Sequence, residues 1–373
     1  MIFKSRRGFI RGVLGGVGAA SLGVHGCKKS GNGSKAPENV RADKKMNDDS
    51  ILGPKDEVTK SGATTKAAGR KDGDGDGPGY IKLEHEGELA KREKALWSML
   101  EACKLCPREC GVNRLKGQAG VCSEKDSFKV ASFGPHYGEE RPLVGTGGSG
   151  TIFFSNCNLL CVYCQNWGIA HRGDGRERSH EQLARMMIAL QKRGCHNINL
   201  VTPTHILPHI VKGLRLAVGM GLNLPIVYNT GGYDKAEVLK LLDGIVDIYM
   251  PDCKYQETKP SARYSRGASD YPKVAAAALK EMNRQVGDLR IVKGIAVRGL
   301  LIRHLVLPHG LAGTEKFVKW VASELGKNTA VNVMGQYRPM HKASDYPLIS
   351  RAVTPKEYQE ALKLAKKAGL RLI

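Results

Sequence analysis

No run of apolar residues in this 373-residue chain is long enough to span a bilayer securely. The best candidate, Val13 to Val24, is about a dozen residues and rich in Gly and Ala. Acidic residues are scarce against basic ones, 36 to 58, leaving a formal charge of +22 that suits anionic partners. No basic helix interleaved with aromatics and no nucleic-acid motif accompanies that charge, so it reads as solvated surface and nucleic acid is not an expected partner. The alternating Asp72 to Gly77 stretch lacks the Glu that closes an EF-hand loop, which argues against calcium. The absence that matters most is of a fourth cysteine close to Cys157, Cys161 and Cys164.

Those three cysteines follow a strand-like run, Gly150 to Ser155, with the spacing C-x3-C-x2-C and Tyr163 just before the last. A four-iron cluster held by three thiolates keeps one iron without a protein ligand, free to bind a small molecule. Zinc is the competing reading. Structural zinc sites use a closed set of four ligands and paired C-x2-C knuckles, and this triplet has neither. The triplet resembles that of the radical S-adenosylmethionine (SAM) enzymes. The resemblance implies a [4Fe-4S] cluster whose open iron is chelated by the amino and carboxylate groups of SAM. It further implies reductive cleavage of SAM to methionine and a 5'-deoxyadenosyl radical that abstracts hydrogen from a substrate.

A second set, Cys103, Cys106, Cys110 and Cys122, is a complete four-thiolate group. Zinc and a second iron–sulfur cluster both fit it, and two disulfides are the remaining alternative. Cys195 and Cys253 stand alone and read as small buried hydrophobes.

The N-terminus reads as targeting. Ser5 to Arg11, with the Arg6-Arg7 pair and Phe9, looks like a twin-arginine export signal. Leu22 to Cys27 resembles a lipoprotein cleavage box, with His25 unusual before the cysteine. The expectation is an exported periplasmic or membrane-anchored protein with a lipid on Cys27; the alternative is a cytoplasmic enzyme with an idle tail. The predicted organisation is a signal over 1–27, a polar linker over 28–80, an N-terminal extension with the four-cysteine site over 81–149, and a barrel over 150–373.

From 150 onward, strand-like and helix-like segments alternate. Leu183, Met186, Met187 and Leu190 fall at i, i+3, i+4 and i+7 of a helix spanning 181–193. Strands are expected near 150–155, 197–201, 225–229, 245–250, 300–307 and 330–334, with helices between. Six such units predict an α/β fold with a parallel sheet, a partial (β/α)6 barrel whose chemistry sits at the C-terminal strand ends. Polar groups gather there: Thr202 and Thr204, Asn229 and Thr230, Asp252 and Lys254, and Arg303. Their convergence on the cysteine-bearing face predicts a cofactor pocket.

From about residue 100 the chain resembles an uncharacterised radical SAM family related to the pyruvate formate-lyase activating enzymes. The motifs that carry this are LCPRECGVNRLKGQAGVC, GSGTIFFSNCNLLCVYCQNWGIAH, NINLVTPTH, PIVYNTGGYDK, VDIYMPDCKY, LIRHLVLP and VNVMGQYRP. The resemblance implies that Met250, Asp252 and Lys254 match a fourth-strand Met-x-Asp-x-Lys pattern near SAM. It also implies that Arg303 matches a fifth-strand arginine that contacts SAM. Thr202-Pro203-Thr204 stands where the activating enzymes have Gly-Gly-Glu, and Asn229-Thr230 where they have Asp-Thr. The expected activity is SAM cleavage fed by a flavodoxin- or ferredoxin-like donor. The substrate would be a glycyl radical enzyme, a peptide or a small molecule. The rival reading is an exported iron–sulfur protein for electron transfer or redox sensing; a zinc-stabilised interaction module is a third.

Overall fold

The computed structural model describes residues 77–373. The predicted export signal, Cys27 and nearly all of the linker lie outside the described residues. No helix among the described residues is long and apolar enough to cross a membrane.

Ten strands form one sheet: β1 (Lys129–His136), β2 (Ser149–Phe154), β3 (Arg176–Glu177), β4 (Ile198–Val201), β5 (Ile226–Thr230), β6 (Ile248–Pro251), β7 (Arg290–Val292), β8 (Ile295–Leu305), β9 (Ala330–Met334) and β10 (Arg371–Leu372). Their order is β10-β9-β8-β6-β5-β4-β2-β1-β3, with β7 paired antiparallel to β8. The six expected strands are β2, β4, β5, β6, β8 and β9, all parallel to their neighbours within that group. The α/β fold is therefore as expected. β1 was not anticipated. It lies in the stretch assigned to the extension, yet pairs antiparallel with β2 from Val130 opposite Phe154 to His136 opposite Ser149.

The helices are α1 (Gly79–His85), α2 (Glu88–Ser98), α3 (Arg141–Val144), α4 (Trp167–Arg172), α5 (His180–Lys192), α6 (Leu207–Gly219), α7 (Ala236–Leu239), α8 (Thr258–Tyr264), α9 (Tyr271–Val286), α10 (Thr314–Glu324) and α11 (Pro355–Lys367). α5 starts at a capping box: Ser179 accepts from the Gln182 N–H while the Gln182 side chain returns to the Ser179 N–H. Its periodic apolar residues, Leu183, Met186, Met187 and Leu190, are all fully buried. Thr354 and Glu357 form the same box on α11, with Pro355 at the first helical position, where its missing N–H leaves no bond unmade. α2 and α1 dock on α6, where Arg215 joins Glu84 at 2.9 Å and Glu93 at 2.6 Å.

Side-chain alternation divides each strand. Ile152, Phe154, Ile198, Leu200, Ile226, Tyr228, Leu300 and Ile302 join the helices in the main core. The opposite side carries Val227, Ile248, Met250 and Leu301, plugged by Leu143 of α3. A third cluster, rich in tyrosine (Tyr163, Tyr233, Tyr255, Tyr264, Tyr271, Tyr337), encloses Leu159 and Cys161 beyond the strand ends.

Candidate functional site

Cys157 follows β2 directly, at the C-terminal end of that strand. Two residues of the cysteine loop without the freedom of glycine adopt left-handed backbone, Asn156 (φ 67°) and Leu160 (φ 54°). Such conformations are held only by their surroundings, and they gather at functional sites. The Asn156 N–H donates to Ile169 O at 2.9 Å, and the Val162 N–H to Tyr264 O at 2.8 Å. A His171 ring nitrogen meets Cys161 O at 3.0 Å. The Leu159 N–H donates to Cys157 Sγ at 3.3 Å, and Ser265 Oγ lies 3.1 Å from Cys161 Sγ.

Burial pushes the Cys161 thiol up, against the pull of the Lys254 ammonium, and pushes Cys164 up to about 12. Each is raised further by its neighbouring thiolates. The raised values keep these groups as thiols in the metal-free chain, and a bound cationic centre such as a [4Fe-4S] cluster would hold them as thiolates, with the Leu159 N–H and Ser265 hydroxyl placed to donate to Cys157 and Cys161. The donor set fits that group.

The pocket side of the site forms because the parallel strands are in register. Phe153, Val201, Asn229 and Met250 align across β2, β4, β5 and β6, and Asp252 bridges to Arg303. Arg303 Nε donates to Asp252 Oδ1 at 2.9 Å, its second nitrogen to Asn229 Oδ1 at 2.7 Å, and its third to Glu139 Oε2 at 3.4 Å. Lys254 Nζ donates to Asp252 Oδ2 at 2.5 Å. Burial alone would raise Asp252, but the Arg303 and Lys254 charges outweigh it and hold the carboxyl below its ordinary range. Lys254 is raised: Asp252 and Cys161 together overcome its burial. Glu139 is pushed up to about 7, first by burial, with Glu140 and Asp252 adding to it.

Gly232 makes this corner possible. Its φ is 77°, and a Cβ there would stand 2.1 Å from Asp252 O. Tyr271 pins the same corner, donating from its hydroxyl to Gly231 O or Asp252 O and accepting from the Lys254 N–H at 3.0 Å.

Asn229, Asp252, Lys254 and Arg303 thus meet at one place. Two other residues expected at the pocket point elsewhere. Thr204 Oγ1 and Thr230 Oγ1 each hydrogen-bond the Asp234 carboxylate at 2.7 Å, and Tyr228 OH joins them at 3.0 Å. Adjacent residues of a strand face opposite sides, so Thr230 is turned away from the side that Asn229 occupies. Thr202 adopts left-handed backbone (φ 61°) and donates its N–H to Asn229 O. Glu139 was missed by sequence reasoning; it precedes the barrel strands and carries no motif.

The second cysteine set folds into a tight loop, with the Cys103 N–H on Val112 O and the Gly111 N–H on Cys103 O. The Val121 N–H donates to Cys110 Sγ at 3.3 Å, and a Cβ on Gly120 would stand 3.0 Å from that sulfur. Burial pushes Cys106 up to about 12 and Cys122 up to about 11. No disulfide joins any of the nine described cysteines. Among the described residues, no three His, Cys, Asp or Glu side chains are grouped closely enough to hold a single metal ion. Cys195 and Cys253 are buried, Cys253 with the Gln256 amide on its sulfur at 3.1 Å.

Residues 151–254, from β2 through Lys254, match the radical SAM superfamily. A relative 34% identical over 307 residues covers 79% of this chain and 82% of its own length; it is an uncharacterized protein of Methanocaldococcus jannaschii. The chain belongs to the radical SAM superfamily. Membership brings a [4Fe-4S] cluster and SAM as cofactors, and a reductant to charge the cluster. A second uncharacterized protein of Methanocaldococcus jannaschii is 24% identical to this radical SAM protein over 292 residues, 73% of this chain and 79% of the relative. Among solved structures, a radical SAM methyltransferase from Sphaerobacter thermophilus aligns with a TM-score of 0.41 at 13% identity, over 60% of this chain and 65% of that one. Methylornithine synthase aligns with a TM-score of 0.39 at 15% identity, over 58% of this chain and 61% of that one.

Proposed function

We propose that this radical SAM enzyme carries its catalytic cluster on Cys157, Cys161 and Cys164 and binds SAM against Asn229, Asp252, Lys254 and Arg303. When bound, the cluster supplies the electron that cleaves SAM to methionine and a 5'-deoxyadenosyl radical. The observation that carries this reading is the convergence of Asp252, Arg303 and Lys254 at the strand ends on the face that bears the cysteine loop, with Lys254 within electrostatic reach of Cys161. Arg303 offers charge-assisted donors to a carboxylate or ribose oxygen, and Asp252 fixes the orientation of both cations. The tyrosine-rich cluster buries Leu159 and Cys161 of the cysteine loop.

The enzyme abstracts hydrogen from a protein or small molecule. Activation of a glycyl radical enzyme is one candidate reaction, suggested by the resemblance of Met250, Asp252, Lys254 and Arg303 to an activating-enzyme pattern; modification of a peptide or small molecule is the other. A flavodoxin- or ferredoxin-like donor supplies the electron. Cys103, Cys106, Cys110 and Cys122 hold a second metal centre, zinc or iron–sulfur, consistent with the N–H donor on Cys110. Twin-arginine export and a lipid tether at Cys27 complete the proposal; the linker length supports reach away from a membrane.

The test is anaerobic reconstitution and reduction, followed by paramagnetic resonance with and without SAM and by assay for 5'-deoxyadenosine. The parent should show a reduced-cluster signal that SAM alters, and should release 5'-deoxyadenosine. A variant with Ala at 157, 161 and 164 should do neither. The same signal in that variant would remove the cluster from these residues.

A further inference from the structure

The four-cysteine segment does not hang beside the catalytic loop; it grips it. Arg108 lies between Cys106 and Cys110. Its guanidinium donates to four backbone carbonyls at once: Asn158 O at 2.9 Å, Leu159 O at 3.4 Å, Ser265 O at 3.0 Å and Arg266 O at 2.8 Å. Asn158 and Leu159 are two of the three residues between Cys157 and Cys161. Ser265 is the residue whose hydroxyl touches Cys161 Sγ. The Asn158 side chain donates to Tyr233 O at 2.8 Å and also reaches the Cys106 thiol.

A second attachment comes from beyond Cys122. Glu124, buried two residues later, accepts from Asn156 Nδ2 at 2.7 Å, so it holds the residue before Cys157. The catalytic loop is therefore fastened on both sides of Cys157 by side chains whose own positions depend on the folding of the second cysteine loop. Such a loop, bearing four thiols and few apolar side chains, takes its shape from whatever its thiols bind.

We propose that Arg108 is a positioning residue through which the second cysteine site controls the geometry of the catalytic cluster loop. This rests on the reading that Cys157, Cys161 and Cys164 carry the catalytic cluster. The physical basis is that one rigid, planar donor fork binds carbonyls of two separate segments, 158–159 and 265–266, at once. Leu160, in left-handed backbone, directly follows the Leu159 carbonyl that Arg108 binds. Lysine keeps the charge at 108 but not the fork, so it can replace only part of the grip.

The experiment compares the full chain with Arg108→Lys and Arg108→Ala variants, all anaerobically loaded with iron. Two readouts are taken: hydrogen exchange of the 157–164 segment, and titration of the reduced-cluster paramagnetic signal with SAM. Metal content at the second cysteine set should match the parent's, since its four thiols are untouched. In Arg108→Ala the loop amides should exchange at least about tenfold faster, with β4 to β6 unchanged. The SAM needed for half of the spectral change should rise by about tenfold, the scale of one charge-assisted hydrogen bond. Arg108→Lys should fall between. Parent-like exchange and titration in both variants would overturn the proposal; faster exchange with an unchanged titration would overturn the positioning role. If Arg108→Ala is insoluble, the lysine variant decides alone, and parent-like behaviour in it counts against the clasp. If the parent itself shows no response to SAM, the catalytic reading has failed rather than the clasp, and the exchange data still decide whether the loop is gripped.

Discussion

Replacing Arg303 with Met should expose how this site balances buried charge. Arg303 is only 17% exposed at its side chain, and its partners Asp252 and Glu139 are 14% and 10% exposed. Removing one partner of a buried ion pair costs about 3–5 kcal/mol, because the other charge stays buried and unpaired. Two features place this case at the low end, about 3 kcal/mol. Asp252 keeps Lys254, and Glu139 can escape by taking up a proton. The loss should therefore depend on pH, and its sign follows from Glu139. Its folded carboxyl titrates near 7, above its ordinary 4.5. Between those values the folded chain holds a proton that the unfolded chain has released, so this group subtracts stability as pH rises. Without Arg303 the carboxyl titrates higher still, and the window extends upward. The variant should lose more stability at pH 8 than at pH 6, measured by urea unfolding of the iron-loaded chain. Adding Glu139→Gln should recover at least about 1 kcal/mol at pH 8, since the unpaired carboxylate is gone. SAM should bind about one to two decades more weakly, the worth of a lost charge-assisted bond of about 1.5–3 kcal/mol. Equal losses at both pH values, no recovery in the double variant and unaltered SAM affinity would together refute the account.

Metal analysis of the variant with Ala at 157, 161 and 164 should still find iron or zinc bound by Cys103, Cys106, Cys110 and Cys122; a metal-free variant would argue for disulfides there instead. For export, cells expressing the parent should contain a shortened, membrane-associated protein, and an Arg6→Lys, Arg7→Lys double variant should stay full-length inside. Identical full-length soluble bands would reject export, whereas a soluble processed parent would reject only the lipid.

Much of the architecture was legible because its signals are local. Alternating apolar patterns with period 2 and period 3.6 locate all six parallel strands within a few residues, and the α5 pattern names four of its six buried side chains, missing Ala184 and Ala189. The cysteine triplet is a local spacing, and its place after the first parallel strand follows from alternation alone. Strand-end position was enough to bring Asp252, Lys254 and Arg303 into one list.

Pairing across distance was not legible. β1 was hidden in the extension because an antiparallel partner of β2 leaves no motif, and Gly134 and Pro135 interrupt its strand pattern. Thr230 and Asn229 are neighbours with equal claims in sequence; only the sheet decides which of them faces Arg303 and which faces Asp234. Glu139 reaches Arg303 across 164 residues, and Arg108 reaches the catalytic loop across 50. Local chemistry therefore determined what this protein carries: a closely spaced cysteine triplet, a separate set of four cysteines, and a row of polar strand ends. The tertiary structure decided what those groups do to one another. A guanidinium's partners are set by which backbones are folded within hydrogen-bond reach of it, and no residue spacing encodes that.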